Sequence, residues 1–276
     1  MSEALNTAQP WSLAGKTAIV TAGSRGIGRG IAVHLARKGV ENIAITYAAN
    51  KDAADETIQQ CRALGVNKAI AIKADATDPE AWPNVVKEVV ASLGVTTLDI
   101  LVNNAIVGSI DAYKPMPELR ADNFSTVMVA NTYVPVATTL AFMEYAPKYG
   151  GRVINISSIA SKVANADPLI TYGASKAALD SFMRSFADSF SSDRGITFNS
   201  VMVGPTATDS LNTVIALSPE GLEQQMKSLT SAAPRLGLSE DIGYIVGFLA
   251  SEEGRWVNGA AVSANGGYKP VLAALG

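Results

Sequence analysis

From residue 17 onward, short unbroken apolar runs alternate with longer stretches in which apolar positions recur every three or four residues. Residues 17–21, bounded by Gly15 and Gly23, read as a buried strand. Over 26–38 the apolar positions Ile27, Ile31, Ala32 and Leu35 follow helical spacing, and Gly39 closes the segment as a C-cap residue would. The alternation repeats: strands are predicted at 43–47, 69–72, 100–102, 152–156, 197–202 and 261–263, and helices at 53–64, 79–93, 121–145, 172–190 and 241–250. Strands alternating with helices imply parallel pairing and an α/β fold, a doubly wound sheet with helices on both faces. Ligands of such sheets sit at the carboxyl ends of the strands. The loop after 17–21 and Ser158 after 152–156 both fall there.

One domain over 1–276 is expected, with 1–14 as an N-terminal extension. The stretch 204–234, rich in Thr, Ser, Pro and Gly, reads either as a mobile substrate lid or as an ordinary surface helix-loop.

Composition narrows the partners. At 48% hydrophobic and 17% charged the chain supports a large core. A net charge of -3 with scattered lysines and arginines leaves no basic excess for a nucleic acid. Cys61 is the only cysteine, which rules out an internal disulfide and a Cys-based metal site. No metal is expected, and a reducing, cytoplasmic setting is. The first ten residues lack the basic start and apolar core of a secretory signal. No run of about 18 apolar residues suggests a membrane span.

Two constellations carry chemistry. The first is Thr21-Ala-Gly-Ser-Arg-Gly-Ile-Gly28, joining the first strand to the first helix. Glycines there let the backbone approach a pyrophosphate whose charge the helix N-terminus stabilises, so Gly23, Ser24, Arg25, Gly26, Ile27 and Gly28 are candidate cofactor contacts. An acid at the tip of the second strand would accept the ribose 2'-hydroxyl of NAD. Here that tip reads Tyr47-Ala48-Ala49-Asn50-Lys51, without an acid. Arg25 and Lys51 suit a 2'-phosphate, so NADP(H) is expected over NAD(H), the alternative being that both are solvated charges.

The second constellation is Ser158, Tyr172 and Lys176, with Asn131 upstream. If Tyr172 opens a helix, Lys176 stands one turn later on the same face. A free phenol, with a pKa of about 10, is a poor acid-base group at neutral pH, and a fixed cation nearby lowers that value. Tyr172 then exchanges a proton with a substrate oxygen that Ser158 holds.

With these residues in order, the chain resembles the short-chain dehydrogenase/reductase family over nearly its whole length. The resemblance rests on Thr21 to Gly28, Asp75, Asn103-Asn104-Ala105, Asn131, Ser158, Tyr172, Lys176 and Val203-Gly204-Pro205-Thr206-Ala207-Thr208. It implies that Tyr172 is the general acid in carbonyl reduction and that Ser158 orients the carbonyl. Lys176 would hold the nicotinamide ribose and depress the phenol's pKa, and Asn131 would anchor a water. Asp75, with Ala76, would meet the adenine, and Asn104, Ala105, Val203, Gly204, Thr206 and Thr208 would line the cofactor path. Tyr47, Ala48 and Asn50 join them at the second strand's tip. The glycine loop and the basic tip are most similar to NADPH-dependent ketoreductases of fungi and bacteria. Val107, Tyr113, Asn165, Asp167, Ile170, Thr208 and Leu211 are expected substrate contacts by family position, their apolar share suiting a bulky, partly aromatic ketone. The family's habit implies a homodimer or homotetramer built on 121–145, 172–190 and the last strand.

Three positions depart from the family pattern. Ala22 and Ile106 stand where it has glycines, and Val203 where it has proline. A β-branched residue does not adopt positive φ cheaply, so Ile106 puts room for the nicotinamide in question. A non-redox lyase, isomerase or cyclase using the same Tyr/Lys pair is the alternative reading. A serine hydrolase is disfavoured, since His34 is the sole histidine and no Gly-x-Ser-x-Gly elbow surrounds Ser158.

Overall fold

The chain's seven apolar runs form one parallel sheet in the computed structural model, which describes residues 9–107 and 110–274. The strands are β1 (Thr17–Val20), β2 (Asn42–Tyr47), β3 (Lys68–Lys73), β4 (Ile100–Asn103), β5 (Arg152–Ser158), β6 (Thr197–Val203) and β7 (Ala261–Ala264). Their order is β3-β2-β1-β4-β5-β6-β7, so the chain starts near the middle, winds to one edge and returns to wind to the other. The reversal falls between β1 and β4, where Val20 pairs with Val102. A crevice opens at the carboxyl ends of strands at such a point.

The helices are α1 (Gly26–Arg37), α2 (Lys51–Ala63), α3 (Trp82–Leu93), α4 (Ala121–Met128), α5 (Val134–Tyr145), α6 (Ile170–Phe190), α7 (Asp209–Ala216), α8 (Leu222–Leu229), α9 (Ser239–Ala250) and α10 (Lys269–Ala274). Of these, α1 to α6 and α9 bury apolar residues on the two faces of the sheet, so strands read as continuous apolar runs rather than alternating ones. On one face Ile31 and Leu35 of α1 and Ile242 and Val246 of α9 pack on Ile43, Ile45, Ile154 and Val201. On the other, Trp82 and Val86 of α3, Phe142 of α5 and Met183 and Phe186 of α6 cover Ile19, Leu101, Val153 and Phe198.

Several boundaries differ from expectation. The helix predicted at 79–93 begins as a 3-10 turn, Pro79–Ala81, before α3. The stretch 121–145 is helical throughout but winds as a π-turn over Val129–Tyr133, between α4 and α5. By length and composition this stretch is apolar enough to cross a membrane, although polar residues interrupt its apolar positions. Two thirds of its apolar window, 67%, is buried inside the fold, as in a core helix. Tyr172 does not open α6; the helix starts two residues earlier at Ile170.

Within 204–234 the chain forms α7 and α8. The excursion leaves and returns through one stem, where Ala207 N–H donates to Gly237 O at 2.8 Å and Gly237 N–H to Pro205 O at 2.9 Å. Its far end is bridged by Thr230 to Tyr268, just before α10, a helix that the pattern did not predict.

Candidate active site

Ala22 adopts φ 50°, alone among the described non-glycine residues in having a positive φ. Its N–H donates to Thr46 Oγ1 at 2.9 Å, and its carbonyl accepts from Asn104 Nδ2 at 3.2 Å, so both neighbouring strands hold it in that conformation. The family's glycine at this position therefore has a backbone reason, and the methyl here is carried at the cost of left-handed strain. Gly28 cannot change in the same way, because a Cβ there would lie 2.2 Å from Ala22 O. Gly23 lies flush on Ile45, and Gly26 takes φ 53° at the start of α1. Ile27 packs on the core below the loop. Arg25 is the N-cap residue of α1, yet no side chain caps the helix and its first turn holds no acid. A free N-terminus over a glycine loop suits a dinucleotide pyrophosphate, so the residues present fit that group. Thr21 Oγ1 accepts from the N–H groups of Asn104 and Ala105, at 2.8 and 2.9 Å, and so fastens the end of β4 to the loop.

At the tip of β2, Tyr47 is half-buried while Ala48, Asn50 and Lys51 are exposed. Asn50 caps α2, its side chain accepting from Ala53 N–H at 2.9 Å. Lys51 is not a free cation: its ammonium pairs with Asp55 one turn on in α2. Arg25 is exposed and has no side-chain partner among the described residues. Asp75 Oδ1 accepts from the N–H and hydroxyl of Thr77, at 2.9 and 2.8 Å, beside buried Ala76.

The tyrosine, serine and lysine do converge. The Ser158 side chain acts on the Tyr172 phenol to favour its ionised form, and the Lys176 ammonium lies 5.9 Å from the phenol ring centroid. Ser158 also accepts from Ala160 N–H at 3.2 Å, which turns the chain at the end of β5. Lys176 is 3% exposed, and its ammonium donates to Ile156 O at 2.7 Å. Burial pushes the Lys176 pKa down to about 8, with the charge of Asp180 pulling the other way. Among the influences on the Tyr172 phenol, burial is the largest and raises its pKa, outweighing the lowering from Ser158.

Asn131 is fully buried in the π-turn and fully engaged. Its Oδ1 accepts from Val107 N–H at 3.0 Å and its Nδ2 donates to Ser175 Oγ at 3.2 Å. Ser175 Oγ in turn donates to Tyr172 O at 2.7 Å. Tyr113 stands edge-on to Tyr172 and donates its hydroxyl to Val107 O at 3.2 Å. Sequence reading missed Ser175, Thr46 and the Ile156 carbonyl, and only Ser175 carried a signal, lying between Tyr172 and Lys176.

Neither of the remaining departures adopts positive φ. Ile106 does not adopt positive φ and leaves its side chain partly exposed, so the anticipated backbone strain is not there. Val203 ends β6 within the ladder, paired with Ser158 and Ala264, and is buried in the core. Gly204 lies against Asn265, where a Cβ would meet Asn265 Cβ at 2.8 Å. Thr206 donates to Gly204 O, and Thr208 caps α7 by accepting from Leu211 N–H. The Thr208 methyl reaches 3.4 Å from where a Cβ on Gly26 would stand, bringing the start of α7 onto the glycine loop.

Among the expected substrate contacts, Val107 is buried, Leu211 partly buried and Ile170 exposed. Asn165 and Asp167 have their polar atoms occupied. Asn165 donates to Ala160 O and Val163 O, while both carboxylate oxygens of Asp167 accept from Met116 N–H at 3.1 Å. They brace the segment between β5 and α6.

His34 lies on α1 against α9, edge-on to Tyr244 at 4.9 Å. A Cβ on Gly247 would come 2.6 Å from its ring, so it is a packing residue between two helices. No cluster of metal-ligating side chains occurs among the described residues.

A protein-family model described as enoyl-(acyl carrier protein) reductase matches residues 21–269. The chain is 52% identical to the short chain dehydrogenase asqE of Emericella nidulans over 269 residues, covering 98% of this chain and 99% of that one. It is 36% identical to the hydroxynaphthalene reductase arp2 of Aspergillus fumigatus, over 92% of this chain and 93% of that one. A short chain dehydrogenase from Burkholderia cenocepacia, solved in complex with NADP, superposes with a TM-score of 0.81 at 34% identity, over 93% of this chain and 98% of that one.

Proposed function

Because the chain belongs to the short-chain dehydrogenase/reductase family of oxidoreductases, we propose that it uses NADPH to reduce a ketone on a fairly bulky, partly apolar small molecule. The reverse reaction would oxidise the secondary alcohol. The observation that carries this reading is the Tyr172 phenol ring with the buried Lys176 ammonium 5.9 Å from its centroid, one helical turn on.

When bound, the reduced nicotinamide supplies the hydride. Ser158 holds the substrate oxygen by hydrogen bonding, and Tyr172 delivers its phenolic proton to that oxygen as charge builds there. A phenol held protonated by burial is the form that reduction requires. Lys176, while charged, stabilises the phenolate left behind. Asn131 locks the backbone on both sides, tying Val107 to the turn of α6 that carries Tyr172.

The cofactor would be held by residues 23–28, by Asn104 and Ala105 at the end of β4, by Asp75 and Ala76, and by Val203, Gly204, Thr206 and Thr208. The choice of NADP(H) rests on Arg25 and on the lack of an acid over 47–51, since Lys51 is already paired. The match to a relative solved with NADP supports it. One domain would carry both cofactor and substrate, with α7, which bears Leu211, and α8 as the lid over Tyr113, Val107 and Ile170. Phe124 and Leu140 on the 121–145 stretch and Phe182 and Phe190 on α6 leave large apolar side chains exposed. They suit an interface between copies of the chain, as a dimer or tetramer. Buried Cys61, its thiol pushed up to about 11 by desolvation, is compatible with a cytoplasmic setting.

The test is loss of NADPH absorbance on adding a bicyclic aromatic ketone, in wild type and in Tyr172→Phe. Consumption by wild type alone supports the reading. Substrate conversion without NADPH consumption assigns non-redox chemistry instead.

A further inference from the structure

On α6 the buried stripe facing the sheet runs Lys176, Leu179, Asp180, Met183, and so places a carboxylate one turn below the lysine. Asp180 is 2% exposed, and neither of its oxygens has a hydrogen-bond partner among the described residues. The lysine ammonium has three N–H donors, and the hydrogen bond recorded for it goes to Ile156 O. The two groups are not in direct contact, since no ion pair joins them.

Three more buried polar atoms without partners lie on the sheet face that α6 covers: Asn155 Nδ2 and Ser157 Oγ on β5, and Ser200 Oγ on β6. Asn155 and Ser157 alternate onto one face of β5, and Asn155 is the register partner of Ser200. The face is identified by the neighbouring bonds, in which Asn103 Nδ2 reaches both Asn155 Oδ1 and Thr139 Oγ1 of α5. Buried polar groups left without protein partners are ordinarily bridged by ordered water.

We propose that Asp180 is a positioning residue for Lys176, joined to its ammonium through one or more internal waters that Ser157, Ser200 and Asn155 also hold. The carboxylate keeps the lysine charged in a setting that would otherwise strip its proton. The charge balance of the site agrees, as Asp180 is the group whose charge raises the Lys176 pKa against burial.

Other titratable groups around the lysine do not take that role. Tyr172 on its own helix and Tyr113 beyond it are neutral phenols held above their ordinary range. β6 carries none, and Arg152 at the start of β5 is paired with Glu252. The 159–161 turn carries none, and the π-turn brings Tyr133, half exposed. Asp122 of α4 is exposed in that helix's first turn, and Glu144 lies near the far end of α5.

The deciding experiment is a pH titration of Lys176 Nζ by NMR in the cofactor-free, ¹⁵N-lysine-labelled full chain, the resonance assigned by its loss in Lys176→Met. Asp180→Asn is expected to lower the midpoint by about one unit or more, Asp180→Leu to lower it likewise, and Asp180→Glu to restore it. Asp180→Leu removes the charge without leaving a buried polar group, so it tests the idea even if Asp180→Asn fails to fold. An unchanged midpoint in Asp180→Leu would overturn the proposal, as would a high-resolution structure with no water between the two side chains. A second arm rests on the reductase reading: in Asp180→Asn the alkaline limb of kcat/KM for ketone reduction moves to lower pH. The NMR arm needs no turnover, so failure of the reductase reading leaves it standing.

Discussion

Tyr113 meets Tyr172 edge to face, ring centroids 5.7 Å apart and planes at 86°, while its hydroxyl is anchored on Val107 O. The segment after β4 therefore walls the phenol proposed to carry the proton. Tyr113→Phe keeps the ring contact and loses only the anchor, and is expected to cost less than about tenfold in kcat/KM. Tyr113→Ala removes the wall, and misplacing a reacting group by about 1 Å costs on the order of 10²-fold. Steady-state kinetics on both variants, with melting curves to show that each folds, check the difference.

Tyr172→Phe deletes the proton donor while leaving the aromatic packing. Turnover is expected to fall by roughly 10² to 10⁴, with a melting temperature close to wild type. Reduction by this variant at near wild-type rate would defeat the assignment.

Lys176 makes stability pH-dependent in a defined window. Its pKa in the folded chain is about 8 against 10.5 when free, so between those values the unfolded chain binds the proton and the folded chain does not. Stability contributed through this group then rises with pH across the window. Compared with Lys176→Met, the wild-type protein should gain in urea unfolding free energy from pH 8 to pH 10.5. A flat difference between the two proteins would contradict the burial assigned to this ammonium.

The strain at Ala22 predicts an asymmetric response. Ala22→Gly relieves about 1–2 kcal/mol of left-handed strain and costs roughly 0.5–1 kcal/mol in chain entropy, so its melting temperature stays level or rises slightly. Ala22→Val adds a branched side chain at positive φ and lowers it. Thermal unfolding of both variants reads the result.

Cofactor preference should reside in Arg25 more than in Lys51. Titration with NADPH and NADH is expected to show that Arg25→Ala weakens NADPH by about tenfold or more and leaves NADH little changed, a charge-assisted phosphate contact being worth more than a neutral one. Lys51→Ala has the smaller effect, because its ammonium is already paired with Asp55.

Much of this molecule was legible without coordinates, because local pattern encodes it. Predominantly apolar runs such as Thr17–Val20 and Asn42–Tyr47 have to be buried on both faces, and helices between them force parallel pairing. The same local logic set Lys176 one turn from Tyr172 and a glycine loop at the head of the first helix. Boundaries were less legible where hydrogen bonds from distant residues shape the backbone. The π-turn at Val129–Tyr133 holds Asn131 between Val107 and Ser175, contacts 24 and 44 residues away in the chain. The two helices inside 204–234 depend on a stem closed between Thr206 and Gly237.

By itself, then, the order of residues determined the sheet, its winding and the identity of the polar groups at its carboxyl edge, since periodicity and spacing are properties of the chain. Tertiary structure alone decided their state. Burial raised the Tyr172 phenol and brought Lys176 down to about 8, and Thr46 with Asn104 held Ala22 at a φ that alanine resists. Desolvation and long-range hydrogen bonds depend on which distant segments close over a residue, and no local pattern records that.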